Sequence, residues 1–193
     1  MDDGDDRIVV FGAGGHARSV LSVLHAEARW HVVGLLEDAA ETAAKTVLGH
    51  PVLGDRTQLA MLRRTGVDKG FVAIGDNRAR GRIVDCLRAG GFRLISVIHP
   101  AAVCMLNTSI AAGSFVHALA LVGAECEVGP GAIVQPFCSL GHESRIGSCA
   151  QFFRRASTSA ARRASATTPS SGPARPSIRG APSGTTSPLA PIR

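Results

Sequence analysis

Two short stretches hold residues whose types and spacing suit chemistry. The first, "VVFGAGGHARSV", sets Gly12, Ala13, Gly14, Gly15 and His16 directly after an apolar run, with Ala17 closing a Gly-x-Gly-x-x-Ala pattern. Such a turn between a strand and a helix lets backbone approach a phosphate, and the helix start adds N–H donors and a positive dipole end. Asp38 ends the second apolar run, where an acid can bind a ribose hydroxyl, so these residues alone fit NAD. The plainer alternative is a turn that is only tightly packed. The second stretch, "SLGHESRIG", places His142 beside Glu143. A histidine serves as a general base near neutral pH, and a neighbouring carboxylate can orient or strengthen it. The alternative there is an exposed histidine with no chemistry.

The elements around the first stretch alternate. "RIVVF" reads as a buried strand stopped by "GAGG", and "HARSVLSVLHAEA" as a helix with Val20, Leu21, Val23 and Leu24 on one face. "WHVVGLLED" and "GFVAIGD" read as further strands. "GDRTQLAMLRRTG" reads as a short helix capped by Asp55, and "NRARGRIVDCLRAGG" as a helix carrying Ile83 and Leu87. "FRLISVI" is expected as the last strand. Alternation of this kind predicts a parallel sheet with right-handed crossovers.

The elements around the second stretch follow another period. Ile110, Val116, Val122, Val128, Val134, Leu140 and Ile146 stand six apart, and four residues after each comes a small one: Ser114, Ala120, Cys126, Ala132, Cys138, Ser144 and Ala150. Hexads of this type mark a parallel β-helix, with the aliphatic residue inside the prism and the small one at its tight corner. Residues 110–151 give seven hexads, hence an expected helix of a little over two coils.

Composition narrows the function classes. The formal net charge is +6, yet residues 1–150 hold 14 Lys and Arg against 15 Asp and Glu, while residues 151–193 hold 7 Arg and no acid. The ordered part is not basic, and aromatic platforms for bases are missing, so no nucleic-acid partner is expected. No apolar run approaches a membrane span, and "MDDGDDR" is not the basic start of a signal peptide. Five cysteines without a Cys-x-x-Cys pair fit reduced thiols in a cytoplasmic protein, with no metal.

After Phe152 the hexads cease. Residues 154–193 are rich in Arg, Ala, Ser, Thr, Pro and Gly, a composition expected to be disordered. Serines stand at 159, 165, 171, 177 and 183, again six apart, each followed by Ala, Gly or Ile. TCN serine codons read one base earlier encode Phe, Leu, Ile or Val, and the Ala and Gly codons then permit Gly. The pattern suggests a frameshifted translation of further hexads. A natural low-complexity tail is the alternative, and AGC codons at those serines would decide for it.

Taken together, "VVFGAGGHARSV", "GLLED", "KTVLGHPVLGD", "VAIGDNRARGRI", "SVIHPAA" and the hexads through "GHESRIG" resemble the NeuD/PglD-type sugar acetyltransferases, over residues 7 to about 152. The resemblance implies a Rossmann-like parallel sheet (1–97) followed by a short left-handed parallel β-helix (98–152) and the tail (153–193). It implies that Gly12, Ala13, Gly14, Gly15 and His16 surround the phosphates of a nucleotide sugar, with Glu37 and Asp38 near the nucleoside. It implies that His142 is the catalytic base, that Glu143 raises its basicity, and that acetyl-CoA gives its acetyl group to an amine or hydroxyl of a nucleotide sugar or sialic-acid-like acceptor. Family members are homotrimers. Two departures count against full activity and trimerisation here: Gln151 stands where a second histidine would contact acetyl-CoA, and the later coils of the acetyl-CoA groove are not in the hexad pattern. The alternatives are a non-catalytic nucleotide-sugar-binding module and an NAD-dependent enzyme.

Overall fold

The computed structural model describes residues 6–39 and 46–153. The tail beyond residue 153, with its expected disorder and its out-of-frame reading, lies outside the described residues.

The N-terminal half is built on a parallel sheet. Strand β1 (Arg7–Phe11) lies between β2 (His31–Leu36) and β5 (Lys69–Val72), parallel to both. With β3 (Thr46–Val47), β4 (His50–Gly54) and β6 (Arg93–Leu94) the order is β3-β4-β2-β1-β5-β6. Alternation along β1 separates two cores. Ile8 and Val10 pack beneath helix α1 (Gly15–Glu27) with Ala17, Val20, Leu21 and Leu24. Val9 and Phe11 face the other side, with Leu62 of α2 (Leu59–Arg64) and Ile83 and Leu87 of α3 (Asn77–Ala89). Helices on both faces leave the central strands β1 and β5 buried, which is why they read as continuous apolar runs. Each large aliphatic side chain so buried stabilises the fold by about 1.5–3 kcal/mol.

Short polar signals set the element ends. Asp76 accepts a hydrogen bond from the Ala79 N–H at 2.7 Å and starts α3. Asp55 caps as expected, accepting from the Thr57 N–H at 2.8 Å, but what it starts is a 3-10 turn (Arg56–Gln58) that leads into α2. The β3–β4 hairpin was not legible: its two-residue turn is Leu48–Gly49, both at positive φ, and a leucine disguises a position that usually carries Asn or Gly.

The strand expected over 92–98 is two elements. Arg93–Leu94 closes the sheet beside β5, whereas Val97–Ile98 (β7) belongs to the β-helix. The first coil is β7, β8 (Val103–Cys104) and β9 (Ser109–Ile110). The second is β10 (Phe115–Val116), β11 (Leu121–Val122) and β12 (Glu127–Val128). The third is β13 (Ile133–Val134), β14 (Ser139–Leu140) and β15 (Arg145–Ile146), and β16 (Gln151–Phe152) opens a fourth. They stack as three parallel sheets, β16-β13-β10-β7, β14-β11-β8 and β15-β12-β9. The expected little over two coils is therefore three and the start of another. The hexad column does extend back through Cys104 to Ile98, with Ala102 and Thr108 in the small positions, but the cysteine hid it.

Inside the prism Val116, Val122, Val128, Val134, Leu140 and Ile146 form one core. The small corner residues also stitch coils together: the Ser114 hydroxyl donates to the Gly129 carbonyl at 2.9 Å, and the Cys126 thiol to the Gly141 carbonyl at 2.9 Å. On the outside of the first sheet, Val97, Phe115 and Ile133 join the core beneath α1. The two halves of the chain thus share one apolar interface. No helix among the described residues is long and apolar enough to cross a membrane.

Candidate functional site

The glycine turn sits where β1 hands over to α1. Gly12 has φ +112°, and a Cβ placed on it would lie 2.7 Å from the Ala73 carbonyl oxygen. This glycine is required by backbone approach within the fold. Gly14 and Gly15 differ: a Cβ on either would meet nothing within 4 Å. Gly14 is the extended N-cap of α1 and makes no side-chain cap. The start of the helix is thus open at Gly14 and Gly15, and a helix start of this kind offers unpaired N–H donors to an anion.

The acids at the end of β2 brace this turn. Glu37 accepts the Ala13 N–H at 2.9 Å and the Ala39 N–H at 3.2 Å. Asp38 is gripped by the Arg56 guanidinium and also accepts the Arg56 N–H at 3.2 Å. Its hydrogen bonds to Arg56 hold the Asp38 carboxyl below the usual carboxylate range. The carboxylate read as a ribose acceptor therefore already carries an arginine at the sheet's C-terminal edge.

His16 turns toward the β-helix. Its ring stands edge-on to Phe115 at 5.3 Å, and Phe115 is in turn 5.5 Å from His117. The Nε2 atom of His16 is buried without a hydrogen-bond partner. Burial, then the charge of Arg80, then His117 lower the His16 pKa to about 4. His16 is accordingly a neutral ring wedged between the two halves.

His142 and Glu143 form an exposed corner between β14 and β15. Nδ1 of His142 lies 3.3 Å from Oε2 of Glu143. Glu143 occupies the left-handed region at φ 58°, as Glu125 does at φ 60° one coil below it and Asn107 at φ 58° two coils below. Gly123 makes room for this corner: a Cβ there would come within 2.8 Å of the His142 nitrogen. Beside it lies a polar hollow lined by Asn107, Ser109, Glu125, Glu127, Glu143 and Arg145, with Arg145 paired to Glu127 at 3.0 Å. Gln151 lies in β16, paired with Ile133. Among the described residues no hydrogen bond or ring contact joins the glycine turn directly to the His142 corner.

Sequence reasoning missed one buried and one half-buried charge between the halves. Arg80 and Glu27 reach across, and Glu27 accepts the Ile98 N–H of the first coil at 2.7 Å. Arg80 had a readable signal: it stands three, four and seven residues before Ile83, Val84 and Leu87, on the apolar face of α3.

Comparison with known proteins bears on both regions. Residues 7–87 match the PglD N-terminal domain. The chain is 35% identical to a mutant of GDP-perosamine N-acetyl transferase from Caulobacter crescentus, solved with CoA and GDP-perosamine, over 75% of this chain and 67% of that one, with a TM-score of 0.71. It is 31% identical to the acetyltransferase domain of PglB from Neisseria gonorrhoeae FA1090 in complex with acetyl coenzyme A, over 76% of this chain and 69% of that one, with a TM-score of 0.69. PerB from Caulobacter crescentus, with CoA and GDP-perosamine, is 31% identical over 76% of this chain and 88% of that one, with a TM-score of 0.54. No match is found among curated proteins.

Proposed function

The chain belongs to the NeuD/PglD-type sugar acetyltransferases, and we propose that it carries acetyl from acetyl-CoA to an amine or hydroxyl of a nucleotide-activated sugar. The observation that carries this reading is the His142–Glu143 corner, an imidazole 3.3 Å from a carboxylate and open to solvent. His142 takes the proton from the acceptor as its nitrogen or oxygen attacks the thioester carbonyl. The new N–C or O–C bond replaces the C–S bond, and coenzyme A leaves as the thiol. Glu143 orients the ring through its contact with Nδ1. No metal has a part in this chemistry.

The open start of α1, at Gly14 and Gly15, is the proposed seat of the phosphates. Ala13 and Glu37 shape the turn, and Asp38 with Arg56 borders the nucleoside. Gln151 is the proposed neighbour of acetyl-CoA. A trimer is the proposed assembly. Its support is a set of exposed apolar side chains on the β-helix, with Val103 56%, Leu119 55% and Phe137 59% exposed. Five cysteines held as thiols rather than disulfides support a reducing, cytoplasmic setting. We also propose that turnover in this chain is impaired, because the hexads cease after Phe152 and Gln151 stands where the resemblance implies a histidine.

The test is thiol release from acetyl-CoA with a panel of UDP- and GDP-amino sugars and sialic acid, beside calorimetry with UDP, NAD and acetyl-CoA. Acetyl-CoA and nucleotide-sugar binding together support the enzyme. Binding of NAD alone would overturn the reading.

A further inference from the structure

Arg80 is only 1% exposed. Its five N–H groups are all used, and every acceptor is an amide oxygen. Nε donates to the Gly131 carbonyl at 2.8 Å, and Nη1 donates to the carbonyls of Ile74 and Gly75, both at 2.9 Å. Nη2 donates to Oδ1 of Asn77 and to the Cys149 carbonyl, both at 2.7 Å. Burial lowers the pKa of this guanidinium from its ordinary value. A buried cation held by amide dipoles is costly. Methionine or leucine would complete the apolar face of α3 without that cost, so space-filling does not account for the arginine.

The acceptors explain it. Ile74 and Gly75 follow β5, and the adjoining Ala73 and Ile74 wall the glycine turn, 2.7 Å and 3.2 Å from where a Gly12 Cβ would stand. Gly131 and Cys149 are left-handed corners of successive coils, at φ 66° and 50°. Cys149 is the next corner after Glu143 along the same run of chain, separated from it by β15. One guanidinium therefore fixes both the wall of the nucleotide turn and the coil that leads away from His142.

We propose that Arg80 is a positioning residue that sets the distance and angle between the nucleotide-sugar turn and the acetyl-transfer coil. The proposal rests on the acetyl-transfer reading. Reacting groups displaced by about 1 Å can cost on the order of 100-fold in rate. A loosened junction should therefore lower turnover and leave the turn able to bind.

The test uses the full chain with Arg80→Met, which keeps volume, and Arg80→Lys, which keeps charge but lacks the planar fork. Nucleotide-sugar affinity, steady-state kinetics and amide exchange at Gly131 and Cys149 are measured for each. The expected result is affinity within about threefold of wild type, kcat lower by roughly 10- to 100-fold, and faster exchange at both corners. If Arg80→Met does not fold, Arg80→Lys carries the measurement. A folded variant with wild-type kcat overturns the proposal, and so does one whose affinity falls in step with kcat. If the wild-type chain releases too little thiol for a kcat, as its proposed impairment allows, the acetyl-transfer reading is judged separately, by acetyl-CoA and nucleotide-sugar binding, and fails if neither binds. Exchange then judges the clamp: unchanged exchange at Gly131 and Cys149 in both variants overturns it, and faster exchange upholds the junction role.

Discussion

His16 stands edge-on to Phe115, with ring centroids 5.3 Å apart and planes at 87°. One residue lies in the first turn of α1 and the other on the first face of the β-helix, so this contact is where the glycine turn meets the prism. It makes the junction sensitive to acid. The folded His16 pKa is about 4 against an ordinary 6.5, chiefly through burial. Between those values the unfolded chain binds more protons than the folded one, so stability falls as pH drops through that window and levels off below it. His117, lowered mainly by burial, acts in the same direction. Glu27, raised mainly by burial, opposes them, because its contribution is present at low pH and lost as pH rises. After allowance for partial solvent screening, His16 should account for about 2 kcal/mol. Urea midpoints measured from pH 4 to 8 should slope less for His16→Gln than for wild type. Equal slopes would remove His16 from the account.

Gly12 and Gly14 should separate folding from binding. Gly12→Ala drives a Cβ to 2.7 Å from a backbone oxygen at φ +112°, which nothing flexible can relieve. It should lose about 2–4 kcal/mol of stability. Gly14→Val meets open space at φ −81°, so the fold should survive while nucleotide-sugar binding disappears. Melting curves and titration calorimetry read the two effects. A folded Gly14→Val that binds a UDP- or GDP-sugar normally would remove the turn from the site.

Much of the architecture was legible because one physical rule dominated each region. Val9 and Val10 are both buried, and that needs a sheet covered on two faces. Val116 to Ile146 repeat every six residues because the prism admits an aliphatic side chain only once per face. Legibility failed where a residue served two partners. Val97 faces the N-terminal core while Ile98 enters the β-helix, so one apolar run held two elements. Leu48 sits at a φ of 46° that its side chain does not advertise. The residues of the glycine turn were found, but the engagement of Ala13 by Glu37 and of Asp38 by Arg56 depends on contacts across 24 and 18 positions. Periodicity carries no trace of these. Arg80 and Glu27 were missed because a charge inside an apolar pattern reads as an irregularity until its partners are known.

Glu27 should show whether its carboxylate or only its acceptor oxygen is needed. Oε1 accepts the Ile98 N–H at 2.7 Å, while Oε2 is buried without a partner. Glu27→Gln keeps an acceptor and removes a half-buried charge whose ionisation burial opposes, so at pH 8 it should be at least as stable as wild type. Glu27→Ala leaves the Ile98 N–H unpaired and should lose about 1–2 kcal/mol. Denaturant unfolding of the three proteins at pH 8 and pH 5 checks both statements. Loss of stability in Glu27→Gln at pH 8 would mean that the charge itself is favourable, against the direction that burial imposes.

Turnover is the remaining prediction. A general base contributes roughly 10²–10⁴-fold, and only when both substrates are held within reach. His142 and Glu143 are the proposed base and its partner, yet the hexads that would continue the proposed acetyl-CoA groove are not in the sequence after Phe152. The 193-residue chain should therefore release little thiol from acetyl-CoA. A chain in which residues 154–193 are replaced by their translation in the shifted frame should release it readily. In that restored protein His142→Ala should lower kcat by about 10²–10⁴-fold while nucleotide-sugar affinity stays unchanged. Glu143→Gln should lower kcat by a smaller factor, since the base survives and only its orientation suffers. Glu143→Gly separates the two roles of that corner. It relieves the left-handed backbone at φ 58° and should stabilise the coil while activity falls as it does for glutamine. Vigorous turnover by the unaltered chain would show that the groove is complete without further hexads, and a fully active His142→Ala would show that the proton leaves by another route.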